Sequence, residues 1–162
     1  DIMAKTDDGK NALHFSVQSN HLLMVKYLIE IRPELLKETD NKGQTALHYA
    51  AAFGGVSLID TLLRAGSDIT ARRNDGSNVL QLAVLSNNLS TTEYLIKTFP
   101  QLKHSINNNG WTVLYYCSQS GGIAVMELLL QEGVDIKART KEGYNALHIA
   151  IVKKNIPIAN YL

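Results

Sequence analysis

The sequence predicts an all-α protein built from stacked helix-turn-helix repeats, and three observations support this prediction. A glycine followed four residues later by leucine recurs five times, at steps of 34, 33, 34 and 33 residues. Each copy places a helix-capping residue before an apolar stretch with helical spacing. Neither helix of one copy could bury its apolar face alone, so we expect neighbouring copies to stack into one continuous core.

The repeated motif keeps one order of residue types. It runs glycine, a variable residue, Asn or Thr, Ala or Val, and leucine, in the copies Gly9–Ser16, Gly43–Ala50, Gly76–Ala83, Gly110–Cys117 and Gly143–Ala150. The Asn or Thr predicts a helix N-cap, because its side chain accepts a hydrogen bond from an otherwise unpaired backbone amide. These predicted N-caps are Asn11, Thr45, Asn78, Thr112 and Asn145.

The ends of both helices are also predicted. The first helix should end near a residue that tolerates a left-handed C-cap in four copies, and near a lysine in the fifth: Asn20, Gly54, Asn87, Gly121 and Lys154. The second helix should end at Gly66 and Gly133 in two copies and at Pro33 and Pro100 in two others. One buried row is expected from the motif leucines, Leu13, Leu47, Leu80, Leu114 and Leu147.

On these residues the chain resembles the ankyrin repeat family, which has a period of 33 and a Thr-Pro-Leu-His signature. Ala or Val replaces the signature proline in every copy, which removes a favourable but dispensable first helical residue. The resemblance implies an ankyrin-repeat solenoid with projecting β-turn or hairpin loops. The expected repeats span 6–39, 40–72, 73–106, 107–139 and 140–162, after the tail of a preceding repeat at 1–5. We therefore expect a longer array around this sequence.

Composition limits the function classes. The chain is 45% apolar and 19% charged, and it has no apolar run of the roughly 18 residues that a bilayer requires. Its net charge is +1 with scattered Lys and Arg, which does not predict a nucleic-acid interface. The single Cys117 favours a reducing compartment. We expect a monomer in the cytoplasm or the nucleus, with no direct membrane contact from this segment.

Residues with reactive chemistry all follow the repeat. The motif histidines His14, His48 and His148 share their place with Gln81 and Tyr115, which is too loose a pattern for a metal-ligand set. Cys117 takes a place that Ser or Ala holds elsewhere, so a small core residue is predicted. The glycine pairs at 54–55 and 121–122 lack a phosphate-loop pattern. We predict no catalytic, cofactor or metal site, and no enzyme.

Partner-binding residues are predicted from the resemblance, which implies docking on the turn tips and the concave face. The residues after the motif glycines should lie at the tips: Lys10, Gln44, Ser77, Trp111 and Tyr144. The last turns of the first helices add Phe53, Leu85, Gln119 and Lys153. The cluster Lys137, Arg139, Lys141, Lys153 and Lys154 is either a solvated face or a site for an acidic partner segment.

Trp111 and Tyr144 stand out because they are large aromatic residues in adjacent repeats. They should lie side by side, about 10 Å apart. One interpretation is an exposed hot spot, where replacing both with alanine weakens binding by about 2 kcal/mol and hardly changes thermal stability. The other is that both rings fold back onto their own turns as local packing. The sequence leaves both interpretations open.

The predicted function is a protein–protein interaction scaffold. The alternatives are a structural or elastic spacer in a larger membrane-associated or channel protein, an array that targets an attached enzyme, and a pathogen or viral effector that mimics host ankyrin proteins. The partner, the organism and the attached domains stay open at this point.

Overall fold

The computed structural model describes all residues, 1–162, and consists of helices, turns and loops without a β-strand. It divides into two compact units, Asp1–Asn74 and Asp75–Leu162, called here the N-terminal and C-terminal units. In both units short helices follow one another in pairs, which confirms the predicted all-α class. None of the helices has the length and apolar character needed to cross a membrane.

The N-terminal unit contains two helix pairs. Its elements are α1 Ala12–Gln18, α2 Leu22–Ile31, a 3₁₀ turn at Pro33–Lys37, α3 Ala46–Phe53 and α4 Val56–Arg64. Helix α1 packs against α2 and α3, and α4 packs against both α3 and α2. Fully buried apolar side chains from every helix, including Leu13, Val25 and Ile59, form the core.

The C-terminal unit contains three helix pairs. Its elements are α5 Val79–Leu85, α6 Leu89–Thr98, a 3₁₀ turn at Pro100–His104, α7 Val113–Ser120, α8 Ile123–Gln131, α9 Ala146–Val152 and α10 Ile156–Tyr161. The first helices form one row in the order α5, α7, α9, and the second helices form another in the order α6, α8, α10. The core between the rows includes Leu80, Leu95, Met126 and Ile158.

All five predicted residues are confirmed at the N-cap position, although Thr112 makes no side-chain capping hydrogen bond. At α1, Oδ1 of Asn11 accepts hydrogen bonds from the backbone N–H groups of Leu13 and His14, both at 3.1 Å. In return, Nδ1 of His14 accepts the backbone N–H of Asn11 at 3.2 Å. This capping box satisfies amides that have no partner inside the helix. The histidine of the motif therefore has a structural role at the helix start.

The predicted ends of the first helices are confirmed in all five copies, near Asn20, Gly54, Asn87, Gly121 and Lys154. Left-handed residues follow three of them, Asn20, Asn87 and Lys154, with φ of 54°, 53° and 59°. Gly54 and Gly121 are also C-caps, but with φ of −89° and −73° they do not use the left-handed conformation that glycine tolerates. Glycine is needed at Gly121 for space, because an added Cβ would lie 2.7 Å from Sγ and 2.8 Å from the carbonyl oxygen of Cys117.

The predicted ends of the second helices are confirmed. Gly66 and Gly133 adopt φ of 100° and 76°, a region that glycine enters without a steric penalty. Pro33 and Pro100 end α2 and α6 as expected, and each then opens a 3₁₀ turn that the sequence did not predict. These turns bury Leu36 and other leucines in their units.

The predicted row of motif leucines is confirmed in four copies and wrong in the fifth. Leu13, Leu47, Leu80 and Leu114 are at most 2% exposed, whereas Leu147 is 38% exposed. Leu147 lies on α9, which packs against α7 and α10, and no further helix covers its remaining side. The motif sets the same local position in each copy, but burial also requires a neighbour.

We predict opposite effects of the same substitution at two glycines. Gly121→Ser should lower the free energy of unfolding by about 1–3 kcal/mol, because its Cβ would collide with Cys117. Gly55→Ser should be neutral or slightly stabilising, since nothing lies within 4 Å of its added Cβ and serine is a good N-cap for α4. Urea titration of both variants measures this difference, and equal losses would contradict it.

Candidate partner-binding surface

In two of the repeats the turn before the first helix is closed by one carboxylate or amide oxygen, and in the first and last repeats the hydroxyl of Thr6 or Thr140 accepts the corresponding backbone N–H. In the N-terminal unit, Oδ1 of Asp40 accepts the backbone N–H groups of Lys42 and Gln44, both at 2.8 Å. In the C-terminal unit, Oδ1 of Asn107 accepts those of Asn109 and Trp111, both at 2.9 Å. The turn tips are therefore rigid before any partner arrives.

Hydrogen bonds also join consecutive turns within each unit. Asn41 donates its backbone N–H to the carbonyl of Asp8 at 3.0 Å and its side-chain amide to that of Asp7 at 2.8 Å. Nδ2 of Asn74 donates to the carbonyl of Asn41 at 3.0 Å in the same way. In the C-terminal unit, Nζ of Lys141 donates to the carbonyl of Asn108 at 2.5 Å. Successive turns are thus held in register.

Two predicted tip residues of the N-terminal unit are engaged by their own turns. Nζ of Lys10 lies 2.9 Å from the carboxylate of Asp8 and 5.7 Å from the ring centroid of Phe15. Hydrogen bonds from Thr6 and Lys10 lower the pKa of Asp8 to about 2. Nε2 of Gln44 donates to Asp40. Lys10 and Gln44 are both partly exposed, and their polar groups already have partners in the turn.

Ser77 does not lie at an exposed tip, which corrects the prediction. It is fully buried, and its hydroxyl lies 2.6 Å from that of Tyr116. Nδ2 of Asn107 donates to the same tyrosine hydroxyl at 2.9 Å. The large ring of Tyr116 covers the turn, so Ser77 is excluded from the candidate surface.

Trp111 folds back onto the first helix of its own repeat. Its ring stacks on that of Tyr115 with centroids 4.0 Å apart and planes 9° apart, and it meets Tyr116 edge-on at 6.1 Å. Trp111 is therefore half-buried, not fully exposed as a tip residue would be. One indole face packs locally, and the residue still borders open space.

That space is a cavity of about 380 Å³ in the C-terminal unit. Its walls combine aromatic, aliphatic and polar side chains: Trp111, Tyr115 and Tyr144; Ile149 and Val152; Asn109, Thr140, Glu142 and Lys153. Tyr144 is 45% exposed and meets the ring of His148 edge-on at 6.0 Å. The structure therefore brings together three predicted residues, Trp111, Tyr144 and Lys153, from two consecutive repeats.

The sequence analysis missed several of the lining residues, among them Tyr115, Glu142 and Ile149. Tyr115 carried a usable signal, because it lies one helical turn after Trp111 and replaces the motif histidine. Burial is the main cause that raises the pKa of Tyr115, and electrostatic interactions with Tyr116 and Glu142 raise it further. Its phenol is therefore neutral at physiological pH. It presents the cavity with an uncharged aromatic wall.

The other predicted concave residues do not join this cavity. Phe53, in the N-terminal unit, is 56% exposed and packs against Tyr49 with ring centroids 6.0 Å apart. Leu85 and Gln119 are half-buried in the C-terminal unit, and the carbonyl of Leu85 accepts the hydroxyl of Ser120 at 2.7 Å. Phe53 alone of these three offers a large exposed apolar side chain.

The candidate reactive residues have structural surroundings. Nε2 of His14 lies 3.0 Å from the carbonyl oxygen of Gln44 in the next repeat, within the same unit. Cys117 is fully buried, and burial raises the pKa of its thiol to about 12. Its burial confirms the small core residue that the sequence predicted. The raised pKa keeps the thiol protonated, and a protonated thiol is a poor nucleophile.

Short capped helix pairs, linked turns and a preformed aromatic cavity define a helical-repeat binding module. The family follows from the sequence comparison, in which the model for ankyrin repeats in three copies matches residues 1–73 and 52–140. The chain belongs to the ankyrin repeat family. Ankyrin repeats are protein-interaction modules, and this one carries that role.

Two relatives show how varied the surrounding proteins are. The chain is 28% identical to the nuclear factor NF-kappa-B p105 subunit of Gallus gallus, over 96% of this chain and 17% of that protein. It is 30% identical to palmitoyltransferase AKR1 of Lachancea kluyveri, over 94% of this chain and 21% of that protein. The chain thus spans about a fifth of the length of these relatives.

A solved structure supports the fold over almost the whole chain. It is that of the predatory endopeptidase Bd0816 from Bdellovibrio bacteriovorus in complex with immunity protein Bd3460. The match has a TM-score of 0.78 and 26% identity, and it covers 99% of this chain and 83% of the other. The ankyrin fold class predicted from the sequence is therefore confirmed.

We predict that Asp40→Asn lowers the free energy of unfolding at pH 7 by about 1–3 kcal/mol. Burial alone would raise the pKa of Asp40, but hydrogen bonds from Gln44, Tyr49 and Lys42 outweigh it and lower the pKa. A lowered pKa in the folded state stabilises the protein above the unfolded pKa of about 3.9, and this contribution disappears as pH falls through the folded value.

The advantage of the wild type over Asp40→Asn should therefore shrink at pH 3. Denaturant titrations of both proteins at the two pH values measure it. A difference that stays constant would mean that the charge of Asp40 does not stabilise the turn.

We predict that Trp111→Ala lowers the free energy of unfolding by about 2 kcal/mol, because it removes a stacked and half-buried ring. This replaces the expectation, from sequence alone, of nearly unchanged stability. Tyr144→Ala should cost less than about 0.5 kcal/mol, as for most surface changes. Thermal unfolding followed by circular dichroism separates the two, and equal melting temperatures would contradict the prediction.

Proposed function

We propose that this chain is a protein–protein interaction scaffold whose partner docks at the cavity between Trp111 and Tyr144. The observation that carries the proposal is that two consecutive repeats place these rings around one space of about 380 Å³. That volume lies within the range of roughly 300–1,000 Å³ typical of binding pockets. It is large enough to receive an apolar side chain from a partner.

The composition of the walls favours a protein partner. Tyrosine and tryptophan are enriched among the residues that dominate interface energies. Here Trp111 is already stacked on Tyr115, so little side-chain entropy is lost on binding. The polar rim of Asn109, Thr140 and Lys153 would then set the orientation of the partner.

The similarity to a chain from an endopeptidase–immunity protein complex supports a protein partner. We further propose that this segment acts without catalysis, as a monomer, in the cytoplasm or the nucleus, without nucleic acid and without direct membrane contact. The net charge of +1 supports the absence of nucleic acid binding.

We also propose the five repeat boundaries given above, within a longer array. The alternative functions are a spacer, an array that targets an attached enzyme, and an effector. The similarity to a palmitoyltransferase, of which this chain matches 21%, supports an array within an enzyme-bearing protein. Among the remaining predicted contacts, Phe53 offers a second apolar contact in the N-terminal unit. Lys10, Gln44, Leu85 and Gln119 would add polar or partly buried contacts beside these anchors.

The test compares two tyrosines of similar exposure. Tyr144 lines the cavity and is 45% exposed, whereas Tyr27 lies on α2 in the N-terminal unit and is 56% exposed. A partner recovered by affinity capture is titrated calorimetrically with both alanine variants. Tyr144→Ala should weaken the dissociation constant about 30-fold, which corresponds to about 2 kcal/mol, and Tyr27→Ala should leave it unchanged.

Both variants should keep melting temperatures close to the wild type, because about half of each tyrosine is exposed to solvent. An unchanged affinity for Tyr144→Ala would reject this cavity as the docking site. Equal weakening by both variants would show that the effect is not local to the cavity.

A further inference from the structure

We propose that the segment bound at this cavity is acidic, with one large apolar side chain in the cavity and carboxylates that pair with Lys153 and the basic residues around it. This inference rests on the proposed function and specifies the chemistry of the partner. It follows from charge and position together.

Positive charge is concentrated in the part of the sequence that supplies Tyr144 and Lys153 to the cavity. The whole chain has a net charge of +1, yet residues 133–162 carry five basic residues against two acidic ones, Asp135 and Glu142. The five are Lys137, Arg139, Lys141, Lys153 and Lys154, and all are exposed. A local excess of one sign attracts a partner segment of the opposite sign and speeds its association.

These five cations have no carboxylate partner in the chain. Elsewhere in the C-terminal unit, Lys97 pairs with Glu93 at 2.6 Å. By contrast, Nη1 of Arg139 donates to the carbonyl of Gly143 at 2.9 Å, and Lys141 donates to a neighbouring turn. Bonds to neutral carbonyls hold the side chains of Arg139 and Lys141 in place and leave their charges unneutralised.

The basic groups flank the apolar walls. Lys153 lines the cavity directly beside Val152, which is 63% exposed. Arg139 lines the adjoining crevice together with Tyr144. A ligand that places an apolar side chain against Tyr144 would therefore have Lys153 in the same cavity wall and Arg139 in the adjoining crevice. Glu142 is the one carboxylate at the cavity, so the partner residue beside it should be uncharged or basic.

Nucleic acid is the other polyanion that could meet such a surface. An aromatic ring that binds bases presents a free face for stacking. One face of Trp111 is already covered by Tyr115, and aliphatic Ile149 and Val152 complete the cavity. These walls suit an apolar amino-acid side chain better than a stacked base, so an acidic peptide is the favoured ligand.

Trp111 is the single tryptophan of the chain and lies in the cavity wall, so its fluorescence reports directly on binding. The probes are three tryptophan-free peptides of equal length that share a central Phe-Leu pair and differ in their flanks, which are all Glu, all Ser or all Lys. A fourth probe is single-stranded oligothymidine. The acidic peptide should bind at least about 10-fold more tightly than the serine peptide, and added salt should reduce this advantage.

Charge variants locate the effect. K153E/K154E should abolish the preference for the acidic over the serine peptide. The matched control K26E/K37E changes two exposed lysines of the N-terminal unit and should keep it. Tyr144→Ala should weaken all three peptides, because it removes part of the shared apolar wall.

The outcomes separate this inference from the proposed function. Equal binding of the acidic and serine peptides, with both lost in Tyr144→Ala, would overturn the acidic partner and leave the docking site intact. Tighter binding of oligothymidine than of the acidic peptide would also overturn the inference. Peptide binding that Tyr144→Ala does not change, or no binding of any peptide, would overturn both proposals.

Discussion

Packing between consecutive short helices is the constraint on which the rest of the structure depends. The α-helices have only six to ten residues, below the roughly 12–15 at which an isolated helix becomes even marginally stable in water. Capping and side-chain packing therefore have to supply the stability that helix length does not. This explains why each first helix begins at an Asn or Thr, and why buried leucines recur at the same place in four of the five motifs.

The same constraint yields a rigid surface for binding. A turn that is closed by Asp40 or Asn107 and bonded to the neighbouring turn has few alternative conformations. Side chains on the turns can vary between repeats without disturbing the helices, and Trp111 and Tyr144 occupy that variable position. The cavity thus combines side chains from this variable position, Trp111 and Tyr144, with buried helix residues such as Tyr115 and Ile149 that belong to the frame.

Charged side chains differ between the two units in whether they form ion pairs within the chain. In the N-terminal unit Lys10 is neutralised by Asp8 within its own turn. Near the cavity, Arg139 and Lys141 are positioned only by neutral backbone carbonyls. Ankyrin repeats that share one backbone can therefore present different electrostatic surfaces, and the proposed selectivity for an acidic partner rests on that difference.

The sequence by itself determined the repeat, the N-caps, the glycine ends of the second helices and the family, because these depend on residues close together in the chain. It also indicated Trp111, Tyr144 and Lys153, since variable positions on a periodic frame can be counted. Only the tertiary structure decided that Ser77 is buried beneath Tyr116, that Leu147 is exposed and that Trp111 stacks on Tyr115. Burial and cavity shape depend on which neighbours cover a position, and a local motif repeated in every copy cannot specify that.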